Sequence, residues 1–168
     1  MDTTYWERRF GVMFFKDAIT KENLFLKYYV KNETNALYIQ GIEELKDKGF
    51  EIIAIVCDGR KGLLQSFRDI PVQMCQFHQK QIVIRYLTKN PKLRAGQELM
   101  NVINLLTNTD KESSFEGALG LWYEQWKEFL NKRSANPLTN RTLFTHKKLR
   151  SVYRSLKNNL FLYQNLFL

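Results

Sequence analysis

The sequence predicts an α/β protein. A mixed sheet opens with three antiparallel strands, continues through strands joined by helices, and gives way to an all-helical second half. Three observations carry this. Three early runs, Thr3 to Trp6, Phe10 to Phe15 and Leu24 to Val30, are rich in β-branched and aromatic residues. The run Ile52 to Cys57 is unbroken and apolar, the pattern of a strand covered on both faces. From Lys92 onward the apolar residues recur only at helical spacing.

The polar break Glu7-Arg8-Arg9 makes a turn between the first two strands, and the stretch from Asp17 to Glu22 turns the chain into the third. Between Asn32 and Gly49 the period changes: Leu37, Ile42 and Leu45 form a helical stripe with Tyr38 and Ile39 beside it. Thr34 or Asn35 can cap the start of that helix, and Gly49 suits its C-terminal cap. Leu63 to Arg68 reads as a short helix, Val72 to Phe77 as the next strand, and Gln79 to Lys89 as a helix ended by Asn90-Pro91. Leu99, Val102, Ile103 and Leu106 then form one stripe, and Phe115, Leu119, Trp122, Trp126, Phe129 and Leu130 a stronger one. The tryptophans of that second stripe read as core. After a loop from Ser134 to Thr142 containing Pro137, a basic helix runs from Leu149 to Leu160, with Leu149, Val152, Leu156 and Leu160 on its apolar face.

With 168 residues, 44% of them hydrophobic and 14% aromatic, the chain can bury a sizeable core and does not read as disordered. No apolar run approaches the ~18 residues of a membrane span, and no signal peptide is expected. Cys57 and Cys75 are too few for a disulfide framework and are expected reduced, which suits the cytoplasm. The net charge of +9 is concentrated at one end. No acidic residue follows Glu128, whereas Lys132, Arg133, Arg141, Lys147, Lys148, Arg150, Arg154 and Lys157 contribute +8. With Phe144 and Tyr153 among them, these cations point to a polyanionic partner, DNA, with Arg150, Arg154 and Lys157 facing outward from the last helix.

The chemistry is expected where Ile52 to Cys57 ends on Asp58, followed by Gly59, Arg60, Lys61 and Gly62. Open α/β sheets place their ligands at such strand ends. The next strand ends on Cys75-Gln76-Phe77-His78. Three antiparallel strands, a helix and then acid-tipped strands is the order of an RNase H-like domain, in which the first and fourth strands are neighbours. Asp2 and Asp58 would then stand side by side and could bind Mg²⁺ (or Mn²⁺) for phosphodiester chemistry. A zinc site at Cys75 and His78 would need two further ligands, and the remaining cysteine and histidine are only Cys57 and His146. A thiol nucleophile is formally available but unsupported, so a packed Cys75 beside a hydrogen-bonded His78 is the preferred reading.

The runs DTTYWERRFGVMFFKD (Asp2 to Asp17), IVCDGRKGL (Ile55 to Leu63), PVQMCQFHQ (Pro71 to Gln79) and HKKLRSVYRSLKNNL (His146 to Leu160) resemble bacterial insertion-sequence transposases of the DDE type. The resemblance spans almost the whole chain. Its most specific marks are the DG after the fourth strand and the C-x-x-H, a combination also found in eukaryotic Mutator-type relatives. It implies that Asp2 and Asp58 are the first two catalytic acids and metal ligands, with Cys75 and His78 supporting the site. It implies DNA as partner, through Arg60, Lys61, Lys147, Lys148, Arg150, Arg154 and Lys157, and a homo-oligomer with intact transposase. Residues 1–91 would be the catalytic core, and 92–168 a helical insertion and the start of the return to it. The first acid directly follows Met1, and no acid after Glu128 can serve as the third. The expectation is therefore a fragment, inactive as it stands, found in the cytoplasm and on the nucleoid when DNA-bound. The alternatives are a non-catalytic DNA-binding or inhibitory module and an RNase H-like nuclease that hydrolyses without strand transfer.

Overall fold

A computed structural model describes residues 1–168 except 8–9, 109–111, 136–138 and 164–168, and leaves undescribed the side chains of 29, 107–108, 112–113 and 161–163. Pro137, Asp110 and the end of the apolar tail thus lie outside the described residues. The chain is a mixed α/β protein of two compact units, Met1–Cys75 and Gln76–Tyr163. The division falls earlier than the boundary expected after Pro91.

In the first unit, strands β1 (Asp2–Trp6), β2 (Phe10–Lys16) and β3 (Asn23–Val30) form the expected antiparallel sheet in the order β1-β2-β3. Its inward residues Met13, Phe15 and Val30 pack with Tyr38, Ile42 and Leu45 of helix α1 (Asn35–Asp47). Each such side chain contributes roughly 1.5–3 kcal/mol on burial. Thr34 caps α1, its hydroxyl accepting from Leu37 N at 3.3 Å, and Gly49 follows the helix with φ +88°. Gly41 sets how close helix and sheet come. A β-carbon there would stand 2.2 Å from Phe15 Cζ, so the ring occupies the space any larger residue needs.

The remaining strands of this unit are shorter than their apolar runs suggest. Strands β4 (Ile55–Cys57) and β5 (Val72–Met74) pair in parallel, with Ile55 opposite Val72 and Cys57 opposite Met74. Ile53, expected inside a covered strand, is 63% exposed, so only the paired part of the run is strand. Leu63 to Arg68 forms turns rather than a helix: the fully buried Leu63 anchors a loop, and a hydrogen bond from Ser66 N to Leu63 O tightens it. Nor does one mixed sheet form by strand ladders, since β1-β2-β3 and β4-β5 are separate sheets. The Met1 ammonium links them, donating to Val56 O at 2.8 Å.

The second unit contains helices α2 (Gln76–Leu87), α3 (Arg94–Asn108), α4 (Glu112–Asn131) and α5 (Lys147–Tyr163). Leu99, Ile103 and Leu106 of α3, Phe115, Leu119, Trp122 and Leu130 of α4, and Leu149, Val152 and Leu156 of α5 are buried as their spacing predicts. Trp122 is a core residue as expected, its Nε1 donating to Ala95 O at 2.9 Å, whereas Trp126 is only half-buried and its Nε1 donates to Glu98 Oε2 at 2.8 Å. Gln79 of α2 is fully buried, its amide donating to Ser155 Oγ at 3.3 Å and accepting from Asn159 Nδ2 at 2.9 Å.

The expectation of an all-helical second half fails at one place. Between α4 and α5 the chain forms an antiparallel hairpin, β6 (Arg133–Ala135) paired with β7 (Thr142–Phe144). Arg133-Ser134-Ala135 is fully exposed and carries no β-branched residue, so neither burial nor propensity marks it as strand. The ladder and the anchoring of Phe144 hold it.

Gly41→Ala should lower the stability of the first unit by about 1–3 kcal/mol, because Phe15 is packed too tightly to yield. The control is Gly117 on α4, where an added β-carbon meets nothing within 4 Å; Gly117→Ala should instead stabilise by about 0.5–1 kcal/mol. Denaturant midpoints with amide exchange resolving each unit would check both.

Candidate functional site

Asp58 stands directly after β4, whose Ile55 and Cys57 turn into the core. Its Oδ1 accepts from Arg60 N at 3.1 Å, a side-chain-closed turn that starts the loop. The loop is then gripped by the start of α1. Arg60 Nε donates to Asn35 Oδ1 at 2.9 Å, its Nη1 lies 3.3 Å from Glu33 Oε2, and its Nη2 donates to Glu33 O. Asn35 Nδ2 donates to Lys61 O at 3.0 Å, and Gly62 turns the chain at φ +81°. An L side chain is strained at that φ, so the sequence places glycine there. Arg60, expected to contact DNA, is thus held by Glu33 and Asn35, whereas Lys61 is exposed.

Glu33 also ties this loop to β1. The Tyr38 hydroxyl donates to Glu33 Oε1 and lies 2.9 Å from Thr3 Oγ1. Burial, with the Glu33 hydrogen bond and charge, raises the Tyr38 pKa far above its usual value, and the charge of Asp58 adds to the rise. The phenol is therefore a fixed, neutral donor. Thr3 faces Tyr38, so Asp2, one residue earlier on the strand, faces the other way and is exposed. Its Oδ1 accepts from Thr3 N at 2.8 Å.

Asp2 follows Met1, whose ammonium donates to Val56 O two residues before Asp58. Burial lowers the pKa of that amine, and Cys57, Asp2, Cys75 and Asp58 all act to raise it. Cys75 follows β5 directly, its N–H donating to Cys57 O at 2.7 Å. His78 does not end a strand: β5 stops at Met74, and His78 lies in the first turn of α2 with its ring edge-on to Phe77 at 5.7 Å. Cys75 closes the first unit and His78 belongs to the second.

Among the described residues, no group of three or more aspartate, glutamate, histidine or cysteine side chains is arranged to hold a metal ion. Asp2 and Asp58 supply two carboxylates, fewer than a closed set of hard-cation ligands requires. No helix among the described residues is long and apolar enough to cross a membrane.

Of the expected DNA-contacting residues in the second unit, Lys147, Lys148, Arg154 and Lys157 are exposed. Arg150 is not turned outward as expected. Its guanidinium lies 3.7 Å from the Phe144 ring centroid, and Nη1 donates to Leu130 O at 3.2 Å and to Asn131 Oδ1. Tyr153, expected among the cations, stacks on Tyr123 at 4.3 Å. Glu33, Asn35 and Tyr38 escaped sequence reading as site residues. Only the placement of Asn35 at a helix start offered any signal, and nothing local marks Glu33 as the partner of an arginine in a distant loop.

No known protein family, curated protein or solved structure matches this chain.

Burial raises the Cys57 thiol to about 12 from a usual 9.0, with the neighbouring Asp58 and Cys75 adding to the rise against the Met1 amine. A raised folded pKa means that the native state holds its proton longer than the unfolded chain. Its contribution to stability is full below pH 9 and is lost as pH rises from 9 toward about 12. Stability should therefore fall across that window, and less steeply in Cys57→Ala. At pH 8 a thiol-specific reagent should modify the half-buried Cys75 while Cys57 reacts only on unfolding, as peptide mass mapping would show.

Proposed function

We propose that this chain is part of the RNase H-like catalytic region of a DDE-type insertion-sequence transposase, carrying the first two acids, Asp2 and Asp58. On its own it binds DNA without cleaving or joining it. The observation that carries the reading is the approach of β1 to β4, where the Met1 ammonium, next to Asp2 in the chain, donates to Val56 O, two residues before Asp58. An RNase H-like order calls for neighbouring first and fourth strands; here this hydrogen bond, and not a strand ladder, links them. The antiparallel β1-β2-β3 sheet, the following helix and the parallel pair β4-β5 support the same order. Cys75 directly after β5 and His78 in the first turn of α2 keep the C-x-x-H spacing of the resemblance. Helices α3 to α5 correspond to the insertion that separates the second acid from the third.

A complete centre would take Mg²⁺ or Mn²⁺ between its carboxylates, and the ions would carry the charge of phosphodiester displacement. This chain offers two of those carboxylates and, after Glu128, no acid to serve as the third. No catalytic step is therefore assigned to it alone. What it can do is bind: the exposed Lys147, Lys148, Arg154 and Lys157 follow a region free of carboxylates.

Addition of Mn²⁺ should broaden the amide signals of Asp2, Thr3 and Arg60 together, and Asp58→Asn should abolish the effect on all three. Broadening confined to another part of the chain, or unchanged in Asp58→Asn, would contradict the paired-acid assignment. In a Mg²⁺ or Mn²⁺ cleavage-and-joining assay the chain should be inactive. Joining that Asp58→Asn removes would place a third acid among the first 128 residues.

A further inference from the structure

We propose that the β6–β7 hairpin and the first turn of α5 together form the surface that grips the phosphate backbone of duplex DNA. This rests on the reading of DNA as partner and assigns it to a structural element, the hairpin, that the sequence pattern did not show.

Exposed cations crowd this element. Lys132, Arg133, Arg141, Lys147 and Lys148 are all exposed, and no carboxylate occurs anywhere from Lys132 onward. The hairpin strands have three residues each, so they span only about 10 Å, a few phosphate steps along one DNA strand.

The element is also held firmly from below. Phe144, opposite Arg133 in the ladder, has the Arg133 guanidinium 4.4 Å and the Arg150 guanidinium 3.7 Å from its ring centroid. Arg150 is bonded in turn to the end of α4 through Leu130 O and Asn131. His146 stacks on Phe129 at 3.6 Å, Lys132 lies over the same Phe129 ring at 5.7 Å, and Thr145 N donates to Lys132 O at 2.9 Å. Burial, with the charge of Lys132, lowers the His146 pKa, which favours a neutral stacking ring in this joint. The cations are carried on a segment bonded and stacked to the ends of α4 and α5, so less backbone freedom is lost on binding.

Lys147 and Lys148 occupy the first turn of α5, which contains no acidic residue. Helix stability favours acids there, because the macrodipole is positive at that end. Two lysines in that position work against the helix and make the turn attractive to an anion.

The experiment is fluorescence anisotropy of the full chain with a labelled duplex of about 20 base pairs, from ~50 to ~200 mM salt. Replacing Lys132, Arg141, Lys147 and Lys148 by Gln should weaken binding at least tenfold and flatten the log–log salt slope by about 3–4, near 0.9 for each phosphate no longer neutralised. The same four-charge change at Lys31, Arg85, Lys89 and Lys92, also exposed, should flatten it by less than about 1. K147E/K148E keeps the proposal testable if the fourfold variant folds poorly: it should raise the thermal midpoint through the dipole while abolishing binding. Equal loss from the two fourfold variants would overturn the hairpin surface and leave the DNA reading standing. A chain that binds no duplex even at low salt would overturn the surface, whereas the acid pair is judged separately by Mn²⁺ broadening. Equal affinity for anionic phospholipid vesicles would overturn the choice of DNA as occupant.

Discussion

Much of the first unit hangs on one carboxylate. Glu33 precedes α1, accepts from the Tyr38 hydroxyl with one oxygen, pairs with Arg60 through the other, and accepts from Arg60 again through its carbonyl. Through Tyr38 it reaches Thr3 on β1, and through Arg60 it reaches the loop that begins at Asp58. The charge pair is only partly exposed, so solvent screens it less than a surface pair. Loss of Glu33 would leave a guanidinium and a phenol each short of an acceptor, the costly side of hydrogen bonding in a protein interior. The positions of Asp2 and Asp58 depend on this network more than on strand ladders, because no ladder joins β1 to β4.

The second unit uses cations in a different way. Arg150 is spent on a ring and a helix end, and Arg133 lies over the same ring. An arginine stacked on an aromatic keeps its charge while losing its freedom, so it can support a surface without reaching from it. The residues left to reach are the lysines around it. Cations held by rings and carbonyls and cations left exposed therefore alternate within one short segment, and net charge alone does not distinguish them.

The sequence was readable where a side-chain period had length to express itself. The three opening strands, α1 with its Thr34 cap and Gly49, and the stripes of α3, α4 and α5 all emerged because burial repeats over many residues. The shorter features did not. Ile52 and Ile53 look like strand, yet a parallel strand ends where its partner ends, and β5 has three residues. Arg133-Ser134-Ala135 carries no strand signal because its pairing is set by Phe144, far along the chain. At the site, Asp58 was legible from the run that precedes it. Glu33 and Tyr38 were not, since their roles arise from partners brought near only by folding.

The buried amide of Gln79 bears on the order of events as the chain is made. Its partners, Ser155 and Asn159, lie 76 and 80 residues further on. When α2 leaves the ribosome, the groups that will satisfy that amide do not yet exist. Water must solvate it until α5 arrives, so the face of α2 that carries Gln79 cannot close early on apolar contacts alone without stranding a polar group. The second unit is thereby inclined to wait for its last helix. Its completion is set by the slow closure of a long chain segment rather than by the rapid formation of its individual helices.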